Sequence, residues 1–161
     1  MKCVLCVGNI VMDVLTRAVD EITWGGTRWV DSIVPSLGGN GANTSATLAM
    51  LGVPVKMIGA VGEDTFGDSA LARLRECGVD LSLVQRMPQG TAASVALVRS
   101  DGTRAFLHRP GVSRELFAEP FDLTKAAQGC WRFHLGNPFS LSHLRKQAPR
   151  LFRQARDLGL S

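Results

Sequence analysis

Asn40 and Asn43 stand three residues apart in the run Gly38-Gly39-Asn40-Gly41-Ala42-Asn43-Thr44-Ser45, the segment of this chain whose residue types point most clearly to a ligand. Small residues let a backbone come close to a bound molecule, and asparagine amides offer both donors and acceptors. Together they suit a polyhydroxylated ligand. Asp13 is the next candidate: it follows an apolar run, and in open α/β sheets ligands bind beyond the carboxyl ends of the strands. A carboxylate there accepts bonds from two hydroxyls, although the same residue type also caps helices and turns. His108, at the end of a strand expected over 103–108, could face the same ligand or simply stand in water at a sheet edge.

Other chemistries fail on particular residues. The loop from Gly39 begins like a dinucleotide fingerprint, with Glu63 downstream, but Thr44 occupies its third glycine position and the loop does not follow the first strand directly. Gly62-Glu63-Asp64-Thr65-Phe66-Gly67-Asp68-Ser69 has phosphate-loop spacing, yet Asp68 stands where a lysine is needed, and no Gly-Lys pair exists anywhere in the sequence. This second segment reads instead as a tight turn capping the helix that follows. His108, His134 and His143 show no metal-ligand spacing, and no Ser, His and acid arrangement announces a nucleophile.

The elements that must position these residues read as α/β. Cys3 to Met12 is a near-continuous apolar run, expected to be one central parallel strand buried on both faces and ending at Asp13. Arg17 to Val34 reads as a hairpin around Trp24-Gly25-Gly26-Thr27, standing away from the main sheet as a lid. Gly41 to Leu51 reads as a helix stopped by Gly52, Val55 to Val61 as a buried strand, and Leu71, Leu74 and Cys77 as the inner side of a helix ending at Gly78. Ala92 to Arg99 and Thr103 to His108 flank Asp101-Gly102, a strong hairpin signal, and are expected to join the earlier hairpin. From Asp122 come a short helix, a strand over 131–135, the loop Gly136-Asn137-Pro138, and a helix from Ser140 towards Leu158 containing Pro149. Gly159 reads as the stop of that helix, and a wound parallel sheet calls for a further strand after Ser161.

Composition sets the frame: 161 residues, 45% hydrophobic and 20% charged, suit one globular domain. No apolar run reaches the roughly 18 residues of a membrane helix, and no small-residue cleavage site follows the first strand, so a cytoplasmic protein is expected. The net charge of +4 is uneven, with 11 basic and 5 acidic side chains among residues 99–161. Arg145, Lys146, Arg150, Arg153 and Arg156 share the last helix with an apolar stripe of Leu144, Ala148, Leu151, Ala155 and Leu158, which reads as a solvated basic face. With no tyrosine and few aromatics to stack bases, nucleic-acid binding is not expected. Cys3 and Cys6 form a CxxC, but on a strand they point to opposite faces. All four cysteines, with Cys77 and Cys130, read as buried reduced thiols.

The Gly38 to Ser45 loop with Gly52 and Gly62, the Gly59 to Gly67 segment, the Asp101-Gly102 hairpin and Pro110-Gly111-Val112 together resemble the PfkB (ribokinase-like) carbohydrate kinases. The resemblance implies a doubly wound parallel sheet carrying a small β lid, with lid strands at about 15–36 and 91–110. It implies transfer of the γ-phosphoryl of ATP, with Mg2+, to a sugar hydroxyl, and places Asp13, Gly38, Gly39, Asn40 and Asn43 on sugar-binding positions. Asn137 stands beside Gly136 where ribokinase has a glutamate near the sugar. Val11 and Asn40 replace an asparagine and a lysine of that enzyme, which argues against ribose as such. The family's base lies in a Gly-Ala-Gly-Asp motif that these 161 residues do not contain. No catalytic residue is therefore expected within the chain; the base and the ATP-binding half are expected beyond Ser161. The chain reads as the sugar-binding half of such a kinase, inactive alone, or else as a non-catalytic sugar-binding module. Dimers that pair lid to lid are a further expectation of the resemblance.

Overall fold

The computed structural model describes residues 2–161. The apolar run that opens the chain forms two strands, β1 (Cys3–Val7) and β2 (Val11–Arg17), which belong to different sheets. The single strand expected to end at Asp13 is thus corrected: Asp13 is the third residue of β2. Hydropathy gave no warning because Val11 and Met12 are as buried as the strand before them, at 4% and 1% exposure. The break falls at Gly8, where an added Cβ would lie 2.9 Å from the Cα of Gly41, so the chain turns beneath a helix.

The larger sheet has the order β5-β4-β1-β8, formed by β1, β4 (Val55–Gly62), β5 (Asp80–Met87) and β8 (Cys130–Leu135), all parallel. Successive side chains of β1 point to opposite faces and meet separate cores. Leu5 and Val7 join Leu123, Leu144 and Leu151, whereas Cys6 joins Met57, Ala70 and Leu74. The first core is covered by α3 (Leu123–Ala126) and α4 (Ser142–Asp157), the second by α1 (Asn40–Met50) and α2 (Thr65–Glu76), giving the doubly wound arrangement expected. On α4 the buried stripe is Leu144, Leu151 and Ala155, and Leu158 is partly exposed beyond its end.

After α4 the chain turns at Gly159 (φ 73°) and runs back alongside β8. The Ser161 N–H donates to the Trp131 carbonyl (3.1 Å), and the Ser161 carbonyl accepts from the Phe133 N–H (3.1 Å). Ser161 thus has a backbone role at the outer side of β8, the position in which the sequence called for a further strand. No helix among the described residues is long and apolar enough to cross a membrane.

The second sheet has the order β3-β2-β6-β7, with β3 (Ser32–Gly38), β6 (Ala92–Val98) and β7 (Arg104–Arg109). β2 pairs antiparallel with β3 and parallel with β6, and β6 pairs antiparallel with β7 around the Asp101-Gly102 turn. Its first strand begins at Val11, earlier than the sequence suggested. The Trp24-Gly25-Gly26-Thr27 turn lies inside the long connection 18–31, where the Gly26 N–H donates to the Thr23 carbonyl (3.1 Å). Asp20 ties that connection to the other hairpin by accepting from the Ser100 N–H (2.8 Å) and hydroxyl (2.7 Å).

Cys3 and Cys130 form a disulfide, which corrects the reading of four reduced thiols. β1 and β8 are adjacent parallel strands and Cys3 pairs in register with Cys130, a proximity invisible across 127 residues of sequence. Cys6 and Cys77 are free, and burial pushes the Cys6 thiol up against a smaller opposing hydrogen bond with Ser45.

Candidate functional site

The two sheets meet where β1 and β8 end and α1 begins. Three glycines permit the junction. An added Cβ at Gly41 would lie 2.8 Å from the backbone of Gly8, and one at Gly136 would lie 3.0 Å from the Gly41 nitrogen, so helix and strand ends touch main chain to main chain. Gly39, at φ 89°, precedes α1 without any side-chain cap, and the task falls to a residue far away in sequence. Asn9 accepts from the Asn40 N–H through Oδ1 (3.0 Å) and from the Ala42 N–H through its carbonyl (3.2 Å), satisfying two of the orphan donors of the first turn.

Asp13 stands over this junction. Its carboxylate fills the space that a side chain at position 38 would take, with Cγ 2.7 Å from the Cβ that Gly38 lacks. Gly38 is therefore required by the carboxylate's position, a more specific reason than general closeness to a ligand. Among the described residues nothing donates a hydrogen bond to the Asp13 carboxylate, which leaves its oxygens open to hydroxyls; Asp13 is half-buried, and Asn40 and Asn43 are exposed. Asn43, one turn into α1, donates its N–H to the Gly39 carbonyl (2.8 Å). Asn137 adopts a left-handed conformation (φ 48°) directly after Gly136, which brings it beside the start of α1.

Register places His108 on the same sheet face as Asp13, two strands away. Asp13 pairs with Ser36 on β3 and with Ser94 on β6, and Ser94 pairs with His108 on β7, so the four residues form one row on one face of the second sheet. Ser94 Oγ lies 3.1 Å from His108 Nδ1. Of the seven sequence candidates, Gly38, Gly39, Asn40 and Asn43 lie at the start of α1 beside Asp13, Asn137 follows Gly136 at the same junction, and His108 shares the Asp13 row two strands away. Sequence reasoning missed Asn9, Ser36 and Ser94. Asn9 was visible only as a polar interruption of the first apolar run, and the serines gain meaning only through strand register.

A second set of contacts fixes how the sheets are joined. Asp64 caps α2 by accepting from the Gly67 N–H (2.8 Å), and also accepts from the Thr91 N–H (2.9 Å) and hydroxyl (2.5 Å). Thr91 Oγ accepts in turn from the Gly62 N–H (2.8 Å), and its carbonyl accepts from Arg109 (2.9 Å), whose guanidinium lies 3.7 Å from Asp64. Burial alone would raise the Asp64 carboxyl. The hydrogen bonds from Thr91 and Gly67, with Arg109 nearby, outweigh that and hold it below the usual carboxylate range. The capping turn read from the sequence is therefore also the bolt between β4 and β7.

Comparison with known proteins agrees with this architecture. The pattern of the pfkB family carbohydrate kinases matches residues 1–145. A ribokinase of Lactococcus lactis is 34% identical over 117 residues, covering 72% of this chain and 39% of that protein. An ATP-dependent ribose-1-phosphate kinase of Halopiger xanaduensis is 38% identical over 121 residues, covering 74% and 40%. Among solved structures, Arabidopsis thaliana ribokinase complexed with ribose and ATP superposes with a TM-score of 0.70 at 24% identity, over 83% of this chain and 45% of that one. The chain spans about 40% of the length of the relatives it matches. With the glycine-rich start of α1, the doubly wound sheet and the second sheet in place, the chain belongs to the pfkB family of carbohydrate kinases.

Proposed function

We propose that this chain supplies the sugar-binding part of an ATP-dependent carbohydrate kinase, one that transfers the γ-phosphoryl of ATP to a sugar hydroxyl. The observation that carries the reading is the open Asp13 carboxylate held over Gly38 at the start of α1. It accepts two neighbouring sugar hydroxyls, Asn40, Asn43 and Asn137 supply donors and acceptors around them, and the second sheet acts as a lid. Which sugar is bound rests with the surrounding side chains.

The residues here do not fit ATP with Mg2+. The sequence has no Gly-Lys pair and no Gly-Ala-Gly-Asp, and among the described residues no group of three or more His, Cys, Asp or Glu could hold a metal ion. No step of phosphoryl transfer runs through them, and on this reading the base belongs to the part of such kinases that these 161 residues do not span. The 161 residues then bind sugar without consuming ATP. The setting proposed is the cytoplasm, where ATP is supplied. Exposed Ile33 and Leu107, on the face of the second sheet away from the Asp13 row, support pairing of two lids in a homodimer.

Calorimetric titration of pentoses and hexoses into the purified chain tests the proposal. Binding of at least one sugar is expected, abolished in Asp13→Ala and Asn43→Leu with the fold intact, and with no sugar-dependent ATP hydrolysis. Unchanged binding in both variants removes the site; sugar-dependent turnover removes the claim of inactivity.

A further inference from the structure

The strand pair that carries the Cys3–Cys130 bridge changes register at the bridge itself. From Val4 to Val7 the β1–β8 ladder is regular, with Val4 opposite Arg132 and Val7 opposite Leu135, and continuing it would set Cys3 opposite Trp131. Cys3 instead opposes Cys130, and its N–H donates to the Gly129 carbonyl (2.9 Å). Trp131 is thus an extra residue, a β-bulge. The Arg132 guanidinium lies over its ring, 4.4 Å from the centroid, and the ring borders an open cavity of about 490 Å³ with Lys2, Val53 and Pro54. Bulge and bridge require each other. Side chains alternate between faces, so in the regular register Trp131 would share the face of Cys3, and Cys130 would point to the opposite one, out of its reach. The two free cysteines take no part: Cys6 and Cys77 belong to the core on the other side of the sheet, whereas Cys130 packs with the core of Leu5.

We propose that Cys3 and Cys130 form a thiol–disulfide exchange site whose redox state sets the register at the start of β8. Bridged, Trp131 stands outside the ladder. Reduced, the start of β8 moves by one residue: the Cys3 N–H takes the Cys130 carbonyl as its acceptor, and the Trp131 ring turns to the face of Phe133. The residue released by the slip is taken up in the turn before β8, where the Cys130 N–H now donates to the Ala127 carbonyl (2.9 Å). Permanent structural disulfides belong to oxidising compartments; in the reducing cytoplasm proposed above, a disulfide is as a rule transient and redox-sensing. The reaction partner is a small disulfide of the glutathione class. Cys130 reacts first, being partly exposed where Cys3 is 7% exposed. Its thiolate attacks one sulfur of the small disulfide, joins to it and releases one thiolate; the Cys3 thiolate then attacks the Cys130 sulfur, closes the bridge and releases the second. The two cysteines give up two electrons and two protons, and the small disulfide leaves as two thiols. Reduction runs the same steps in reverse.

The test equilibrates the purified chain in buffers running from glutathione disulfide alone to glutathione thiol alone, counts alkylated cysteines by mass, and follows the amide spectrum of the isotope-labelled chain. In the disulfide, two cysteines should be alkylated, Cys6 and Cys77, and in the thiol all four, reversibly. On reduction Cys3 should lose its cross-strand contact with Cys130 and gain one with Trp131, with amide shifts changing over 127–133 and unchanged in α2. Cys130→Ser should show the reduced pattern in every buffer, and Cys77→Ser should switch as the wild type does. Should Cys130→Ser fail to fold, the reversible change in the wild type decides. Four alkylated cysteines in glutathione disulfide, or two in glutathione thiol, would remove the exchange site. A reduced chain that keeps Cys3 opposite Cys130, or that unfolds, would make the bridge a fixed cross-link and overturn the inference. Sugar titration enters none of these outcomes, so the proposed function stands or falls separately.

Discussion

The two sheets of this chain are built on opposite terms. The parallel sheet is covered on both faces: Leu5 and Met57 are wholly buried, one in each core. In the second sheet, Ile33 and Leu107 are 64% and 65% exposed. Apolar side chains in the first sheet hold the fold together, whereas several in the second face solvent, Ile33 and Leu107 on one face and Leu15 and Phe106 on the other, beside the polar row. Stability therefore concentrates in one sheet and the proposed recognition draws on the other, with the α1 junction and the Asp64 knot joining them.

The sharpest way to break this comparison is a cavity in the parallel sheet. Leu5→Ala should cost about 2–5 kcal/mol in denaturant unfolding, as buried leucine truncations do. Next comes the Cys3–Cys130 disulfide, which ties β1 to β8 across 127 residues. Its loss in Cys3→Ser should cost about 2–4 kcal/mol, and a reductant should lower the melting temperature of the wild type but not of the variant. A melting temperature indifferent to reductant would show that the bridge contributes nothing.

Asp64→Asn should cost about 1 kcal/mol, the usual scale of a lost helix cap. Because the folded Asp64 carboxyl sits below its ordinary value, its contribution is complete at neutral pH. It fades as pH falls below about 4 through the lowered folded value, so wild type and variant should converge in acid. A difference that persists undiminished at low pH would contradict that cause. Smallest of all, Leu107→Ala should change stability by no more than about 0.5 kcal/mol, since the side chain is already exposed.

The same contrast explains what the sequence disclosed. The parallel sheet and its helices were legible because burial writes period and hydropathy into the chain, down to the glycine stops at Gly52 and Gly78. The division of the opening apolar run was not, because both strands are buried where they part and only Gly8, pressed against Gly41, marks the bend. Asp13 and the Gly38 to Asn43 segment were legible as residue types in a pattern. Asn9, Ser36 and Ser94 were not, since capping across 31 residues and a shared register line exist only once the chain has folded. The disulfide belongs with these: strand order alone brings Cys3 to Cys130.

The most direct test is a sugar titration followed by amide chemical shifts on the isotope-labelled chain. The account predicts that shifts concentrate on Gly38 to Asn43 and on the Asp13, Ser94 and His108 line, from both sheets at once, and vanish in Asp13→Ala. Shifts confined to other surfaces, or surviving in Asp13→Ala, would contradict it.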